Sequence, residues 1–474
     1  MRNFHDDFKK GRDVKKNVSP YFRRRFVIVA MTFFGTAMAA VSEDDAKQLG
    51  TVLTPWGAEK AGNKEGTIPA YSGERVQAPA SYDPKEPGHL PDPWNDKPLY
   101  SITAQNVAQY ADHLSEGHLA MFKKYPSFRM DVYPSRRTAQ YPKYVVDNTL
   151  KNALSCKATN AELRLEGCYG GIPFPIPRTG NQVVWNHALH FGTNSAAGEG
   201  RAYLVTSEGK LILTAEQQIW GDSPFYDLAR TGPAEPNSLS GRFRIDFTGP
   251  ARKAGEKLLV RAGLDSFDPG YRVWQYLPGQ RRVKLAPDLA YDTPSPTSGG
   301  VSTIDEGLVF SGSQDRYDMK LLGKKEVYLQ YNTFKITDPK VCPAEVFFTK
   351  NFVNPDCVRW ELHRTFVVEA KIKPAFRHVL PRRMMYFDED TWGAATGAGY
   401  DSSGNVFRVE EAPYFPYYNL GNGHAVSAAL VMDLNTGAYY DSTFYAYPGG
   451  GIREAKKQTD SFYTPDAIAG EGIR

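Results

Sequence analysis

VRWELHRTFVVEAKIKPAFRHVLPRRMMYFDEDTWGAATGAGYDSSGNVFRV, residues 358–409, is the stretch that decides the fold class. Its first run alternates. Trp360, Leu362, Phe366, Val368 and Ala370 fall on one side, with Arg364 as the exception. Arg359, Glu361, His363, Thr365 and Glu369 fall on the other, with Val367 as the exception. A period of two sustained over that length is a strand with one apolar and one polar face, and the polar face is expected to be wet. The turn residues of YFDEDTW and YDSSG then return the chain for further strands. The expectation is an α+β protein, mainly antiparallel β, built on one large sheet.

The same pattern extends outward. RAYLVTSEGKLILTAEQQIW reads as two strands around Ser207-Glu208-Gly209, YRVWQYLPGQRRVKL as two around Pro278-Gly279, and VMDLNTGAYYDS as another pair. Val183-Val184-Trp185 opens this region as a strand, and residues 303–310 form a short helical turn. The expected division is a leader at 1–40, an N-terminal wrapping arm with helices at 41–180, a sheet domain at 181–447 and a tail at 448–474. The arm is rich in Gly and Pro, which sustain neither helix nor central strand. Trp56, Tyr71, Tyr82 and Trp94 are spaced through it as docking anchors. A helix is expected over 103–125, capped by Thr103, and residues 126–180 read as turns.

Lys and Arg residues precede an apolar run from Phe26 to Ala40 that ends in Ala37-Met38-Ala39, the pattern of a cleaved secretory signal. The whole chain carries 57 basic and 53 acidic residues. Nine of the basic and three of the acidic residues lie in 1–40, so the remainder is slightly acidic. That balance excludes a general electrostatic attraction to nucleic acid. Four cysteines, Cys156, Cys168, Cys342 and Cys357, are an even set in an exported chain and read as disulfides. Three connectivities exist; 156–168 and 342–357 close the shortest loops and are favoured.

Candidate chemistry is sparse. His187 and His190 lie three apart in WNHALHF; read as strand, they point to opposite faces and hold no metal. His363 sits on the polar strand face, solvent-facing or paired with Glu361 or Glu369. Asp388, Glu389 and Asp390 are an acidic turn; with His363 they are the basis of a hydrolase alternative. No G-x-S-x-G, Walker A, G-x-G-x-x-G or H-E-x-x-H motif occurs. Neither catalytic residues nor a cofactor is assigned. The pairs Arg281-Arg282, Lys324-Lys325 and Arg382-Arg383 read as solvated strand ends and turns. With the aromatic arm, they are the basis of a second alternative, an assembly protein docking an acidic envelope partner.

TPWGAEKAGNKEGTIPAYSG, MDVYPSRRTAQYP at 130–142, DRYDMKLLGKKEVYLQYN at 315–332, RWELHRTFVVEA at 359–370 and the YFDEDTW and YDSSG turns resemble the LolB-like domain-of-unknown-function family 1329 of Gram-negative bacteria. The resemblance implies a LolA/LolB-like half-barrel, a strongly curved antiparallel sheet with helices in its concavity and an apolar space for lipid. No enzymatic activity comes with it. LolB is a lipoprotein; no cysteine follows the cleavage pattern here, so receipt of lipoproteins is not carried over. On this fold the strand aromatics and aliphatics Trp185, Tyr203, Trp274, Tyr276, Tyr331, Trp360, Leu362, Phe366 and Val368 are the expected ligand-binding surface. The functional expectation is a periplasmic carrier of a hydrophobic ligand such as a lipid, acyl chain or sterol-like molecule, working with an envelope transporter or outer-membrane protein.

Overall fold

The computed structural model describes residues 41–286, 291–420, 423–426 and 430–470; the leader expected at 1–40 lies outside them. Sixteen strands form one large, curved, open sheet that is mostly antiparallel. From one edge its order is Tyr100–Thr103, Arg129–Val132, Trp360–Ile372, Arg382–Asp388, Ala394–Tyr400, Val406–Glu411, Leu430–Asp433, Tyr439–Phe444, Ser195–Val205, Leu211–Asp222, Leu239–Gly249, Lys257–Gly263, Tyr271–Leu277 and Arg282–Leu285. The strand Tyr317–Gln330 also pairs with 360–372, and Gly451–Glu454 pairs with 195–205. The hairpins at 207–209, 278–279 and 434–438 form where the turn residues place them. Strands from the arm and the tail join the same sheet, and Ile468 of the last helix packs with Leu259 and Tyr276. Both cysteine pairs, 156–168 and 342–357, are bonded.

Three local readings change. Thr103 ends a strand rather than capping a helix; the α-helix there is Glu116–Lys124, capped by Ser115 with His118 in a reciprocal capping box. Residues 126–180 contain the helix Lys143–Ser155, whose Thr149 and Asn152 bond the 169–172 turn. Val183-Val184-Trp185 lies in the helix Gly180–Ala188, not in a strand. Thr179 caps it by accepting from the Gln182 N–H at 3.2 Å, the start of a T-x-x-Q capping signature that outweighs the β-branched content of VVW.

The face of 360–372 expected to be wet is buried: Glu361 and Thr365 are 0% exposed and His363 1%. Residues from the first third of the chain reach this layer. The Arg136 N–H donates to Glu361 at 2.7 Å, Arg137 forks onto both oxygens of Asp390 at 2.8 and 2.7 Å, and Arg364 donates to the Ala61 carbonyl at 2.9 Å. Charges survive burial only when paired and hydrogen-bonded in this way. Arg383 is likewise 0% exposed, bridging Asp305 at 3.1 Å and Glu410 at 2.8 Å. Lys324 and Lys325 lie within a strand, and Lys324 joins Glu59 to Glu389. Arg281-Arg282 is exposed at a turn and Arg382 opens its strand half-exposed, as the sequence implied; Arg383 is buried and Lys324-Lys325 are mid-strand.

Candidate functional site

Among the described residues, a partly open cavity of about 410 Å³ is lined chiefly by apolar groups. One wall is the end of the 180–188 helix and the turn after it, from Val184 to Thr193. The floor is the sheet where small residues are in register: Ala196 faces Gly221, and Gly241 faces Ala262. These pairs thin the floor and leave room under the helix, while Phe243, in register with Gly221, and Ile219 also line it. The loop 308–314 forms the remaining side. Leu308 and Val309 there have φ of +51° and +69°, an outlying conformation for a β-branched residue. The loop is held by Arg383, which donates to the Val309 carbonyl at 2.5 Å, and by His187, bonded to the Phe310 carbonyl at 2.9 Å.

The helix places His187 and His190 together rather than on opposite faces, with rings stacked 5.4 Å apart. The Ala394 N–H donates to His187 Nδ1 at 3.0 Å, so the His187 proton is on Nε2 and goes to Phe310. His190 is the opposite tautomer: its Nδ1–H donates to the His187 carbonyl at 2.5 Å. Burial pushes the His187 pKa down to about 3, with repulsion from His190 adding to it, and burial lowers His190 as well. Both rings are therefore neutral, and His187 has no nitrogen left for a metal.

Of the nine residues expected to form a ligand surface, Trp185 alone lines this cavity, anchored by its Nε1–H to the Glu162 carbonyl at 2.8 Å. The others divide among separate core clusters: Tyr203, Trp360 and Leu362 share one, Phe366 and Val368 another, and Tyr331 and Tyr276 lie in two more. Tyr203 packs on Phe348, Phe366 stacks on Trp392, and Tyr331 stacks on His363 at 3.7 Å. Tyr276 packs under the last helix with Trp274 half-buried beside it, and Leu362 and Val368 belong to two different core clusters. Trp360 borders only a void of about 20 Å³. Large side chains fill the space in front of them, which is why they mark core and not cavity.

His363, Asp388 and Asp390 do converge, with donor atoms within 4.8 Å of one another. The cluster is sealed, however, each residue being 1% exposed. Both Asp390 oxygens are taken by Arg137, and His363 Nε2 is 3.2 Å from Glu361. Asp388 accepts from the Thr391 N–H and hydroxyl; burial and the neighbouring Asp390 push its pKa up to about 6. The Arg137 guanidinium is paired with the cluster, and none of the three residues lines the cavity. The arrangement stabilises the arm on the sheet.

The architecture is a large, mostly antiparallel open sheet with one chiefly apolar cavity described beside it. Residues 101–469 match the family described as "Protein of unknown function (DUF1329)", and the chain belongs to that family. It is 38% identical over 461 residues to the Pseudomonas aeruginosa "Uncharacterized protein PA3922", covering 94% of this chain and 98% of that one. Among solved structures it is similar to a DUF1329 family protein from Desulfovibrio piger (13% identity, 58% of this chain and 92% of the other covered, TM-score 0.38). It is also similar to LolA superfamily protein NE2245 from Nitrosomonas europaea (11% identity, 61% and 99% covered, TM-score 0.35). No helix among the described residues is long and apolar enough to cross a membrane.

Proposed function

We propose that the protein is a non-catalytic periplasmic carrier that holds a hydrophobic ligand in the cavity between the 180–188 helix and the small-residue floor. The cavity of about 410 Å³ is the observation that supports this most directly. Its size falls in the range of small-molecule sites, roughly 300–1,000 Å³, and its lining is chiefly apolar. Each ligand methylene buried there contributes about 0.8 kcal/mol, so ten give roughly 8 kcal/mol before ordering costs. The two closed disulfides support an oxidising compartment. A carrier of this kind exchanges its load with an envelope transporter or an outer-membrane protein. Native mass spectrometry of protein purified from its own periplasm should reveal a co-purifying hydrophobic molecule. Protein that is empty and also refuses every alkyl probe would overturn the reading.

A further inference from the structure

The polar atoms of the cavity wall define what kind of head the ligand carries. Among the described lining residues there is no Lys or Arg. The two acidic ones are already engaged. Asp222 receives both arms of Arg242, at 2.8 and 2.6 Å, while the remaining Arg242 nitrogen donates to Asp460. Asp265 accepts the Phe267 N–H at 2.8 Å and lies 3.7 Å from Arg164. The Tyr226 hydroxyl donates to the Leu189 carbonyl. Burial keeps the phenols of Tyr271, Tyr417 and Tyr445 protonated. A charged phosphate, carboxylate or ammonium would lose its hydration here and meet no free counter-charge, which is a large penalty.

Beyond the neutral serine and threonine hydroxyls of the wall, among them the buried Ser313 Oγ, the described lining offers one imidazole acceptor. His190 donates through Nδ1, so its Nε2 carries a lone pair, and no described residue bonds it. His190 is half-buried and lines the cavity next to Leu189 and Gly192. We infer that the cavity selects an uncharged amphiphile whose single polar head donates a hydrogen bond to His190 Nε2: an alcohol or a protonated acid on an apolar body, and not a phospholipid. This rests on the carrier reading and narrows it. Discrimination follows the rule that a site built to pair with a hydroxyl rejects an analogue lacking it, because the acceptor is then left dry and unpaired.

The test compares probes that share one alkyl chain: dodecanol, its methyl ether, dodecyl phosphate and dodecyltrimethylammonium. Binding is read by displacement of an environment-sensitive fluorescent fatty probe from the full chain. Dodecanol should bind about tenfold tighter than the ether, the effect of one net hydrogen bond, and both ions more weakly than either. His190→Phe should abolish the alcohol–ether difference while keeping affinity for the ether. His190→Gln, which retains an acceptor, should restore part of the difference and covers the case in which the Phe variant does not fold. Equal binding of alcohol and ether, or phosphate binding as tight as alcohol, overturns the inference and leaves the carrier reading standing. Binding of none of the probes overturns both.

Discussion

Gly241→Leu should close the cavity with little damage to the fold. Gly241 lies on the floor opposite Ala262. A Cβ built there meets only the Phe243 ring at 3.7 Å and the Asp222 carbonyl at 4.0 Å, both ordinary contacts. The backbone is not in the left-handed region, so a side chain brings no conformational strain. Leucine adds four carbons to the cavity and displaces about as many ligand methylenes. At ~0.8 kcal/mol each, the loss is about 3 kcal/mol, roughly a hundredfold in Kd. Stability should stay within about 1 kcal/mol of the parent, because relieving glycine's chain entropy offsets the new packing. Gly232→Leu is the control: nothing lies within 4 Å of its Cβ, and it does not line the cavity. Titration with a fluorescent fatty probe, alongside urea unfolding of all three proteins, checks both quantities. A folded Gly241→Leu protein that binds like the parent would show that ligand sits elsewhere.

Two further outcomes concern the buried charges. Asp441 is 4% exposed, accepts the Thr443 N–H at 2.9 Å and has no cationic partner among the described residues; burial pushes its pKa from 3.8 up to about 7. A raised carboxylate favours the folded state fully below its unfolded pKa, and that contribution is lost as pH rises from about 4 through about 7, in total roughly 4 kcal/mol. Asp441→Asn should therefore gain stability relative to the parent as pH rises across that window, by urea midpoints; a difference that does not change with pH would refute the burial argument. Arg383→Met leaves Asp305 and Glu410 facing each other without their cation and frees the 308–310 loop. It should cost about 3–5 kcal/mol by denaturant unfolding, with Arg383→Met/Glu410→Gln recovering part; a loss under about 1 kcal/mol would mean that the ionic layer is not stabilising as drawn.

The sheet was legible because strand alternation and turn chemistry are local. WELHRTFVVEA has a period of two within eleven residues, and Ser207-Glu208-Gly209 marks its own hairpin. Alternation separates two faces but does not say what lies on either. Charged residues are ordinarily exposed, so Glu361 and His363 read as wet. Glu361 is met by Arg359 and Asn332 nearby but also by the Arg136 N–H, more than two hundred positions away on a segment whose Pro and Arg content looks like open loop. The helix 180–188 has a local signal, Thr179 followed by Gln182, which is easily masked in the sequence by the β-branched Val183-Val184.

The cavity is harder to see than the core for a reason that the residues themselves explain. On single strands, bulky apolar side chains such as Trp274, Tyr331, Trp360 and Phe366 stand out because they contribute the burial energy. Bulky side chains consume space; a cavity is made where they are absent. Ala196, Gly221, Gly241 and Ala262 say nothing one at a time, and on their own strands they look like weak points. Register gives them meaning: Ala196 is opposite Gly221, Gly241 opposite Ala262, and the two pairs lie on neighbouring strands. Trp185, the one expected ligand contact that does face the cavity, is on the helix across from this row and not on a strand. On the proposed carrier reading, binding would rest on the small residues of the sheet, on Trp185 of the covering helix and on His190 just after it. Enlarging a floor residue should therefore impair binding more than trimming a core aromatic on the central strands.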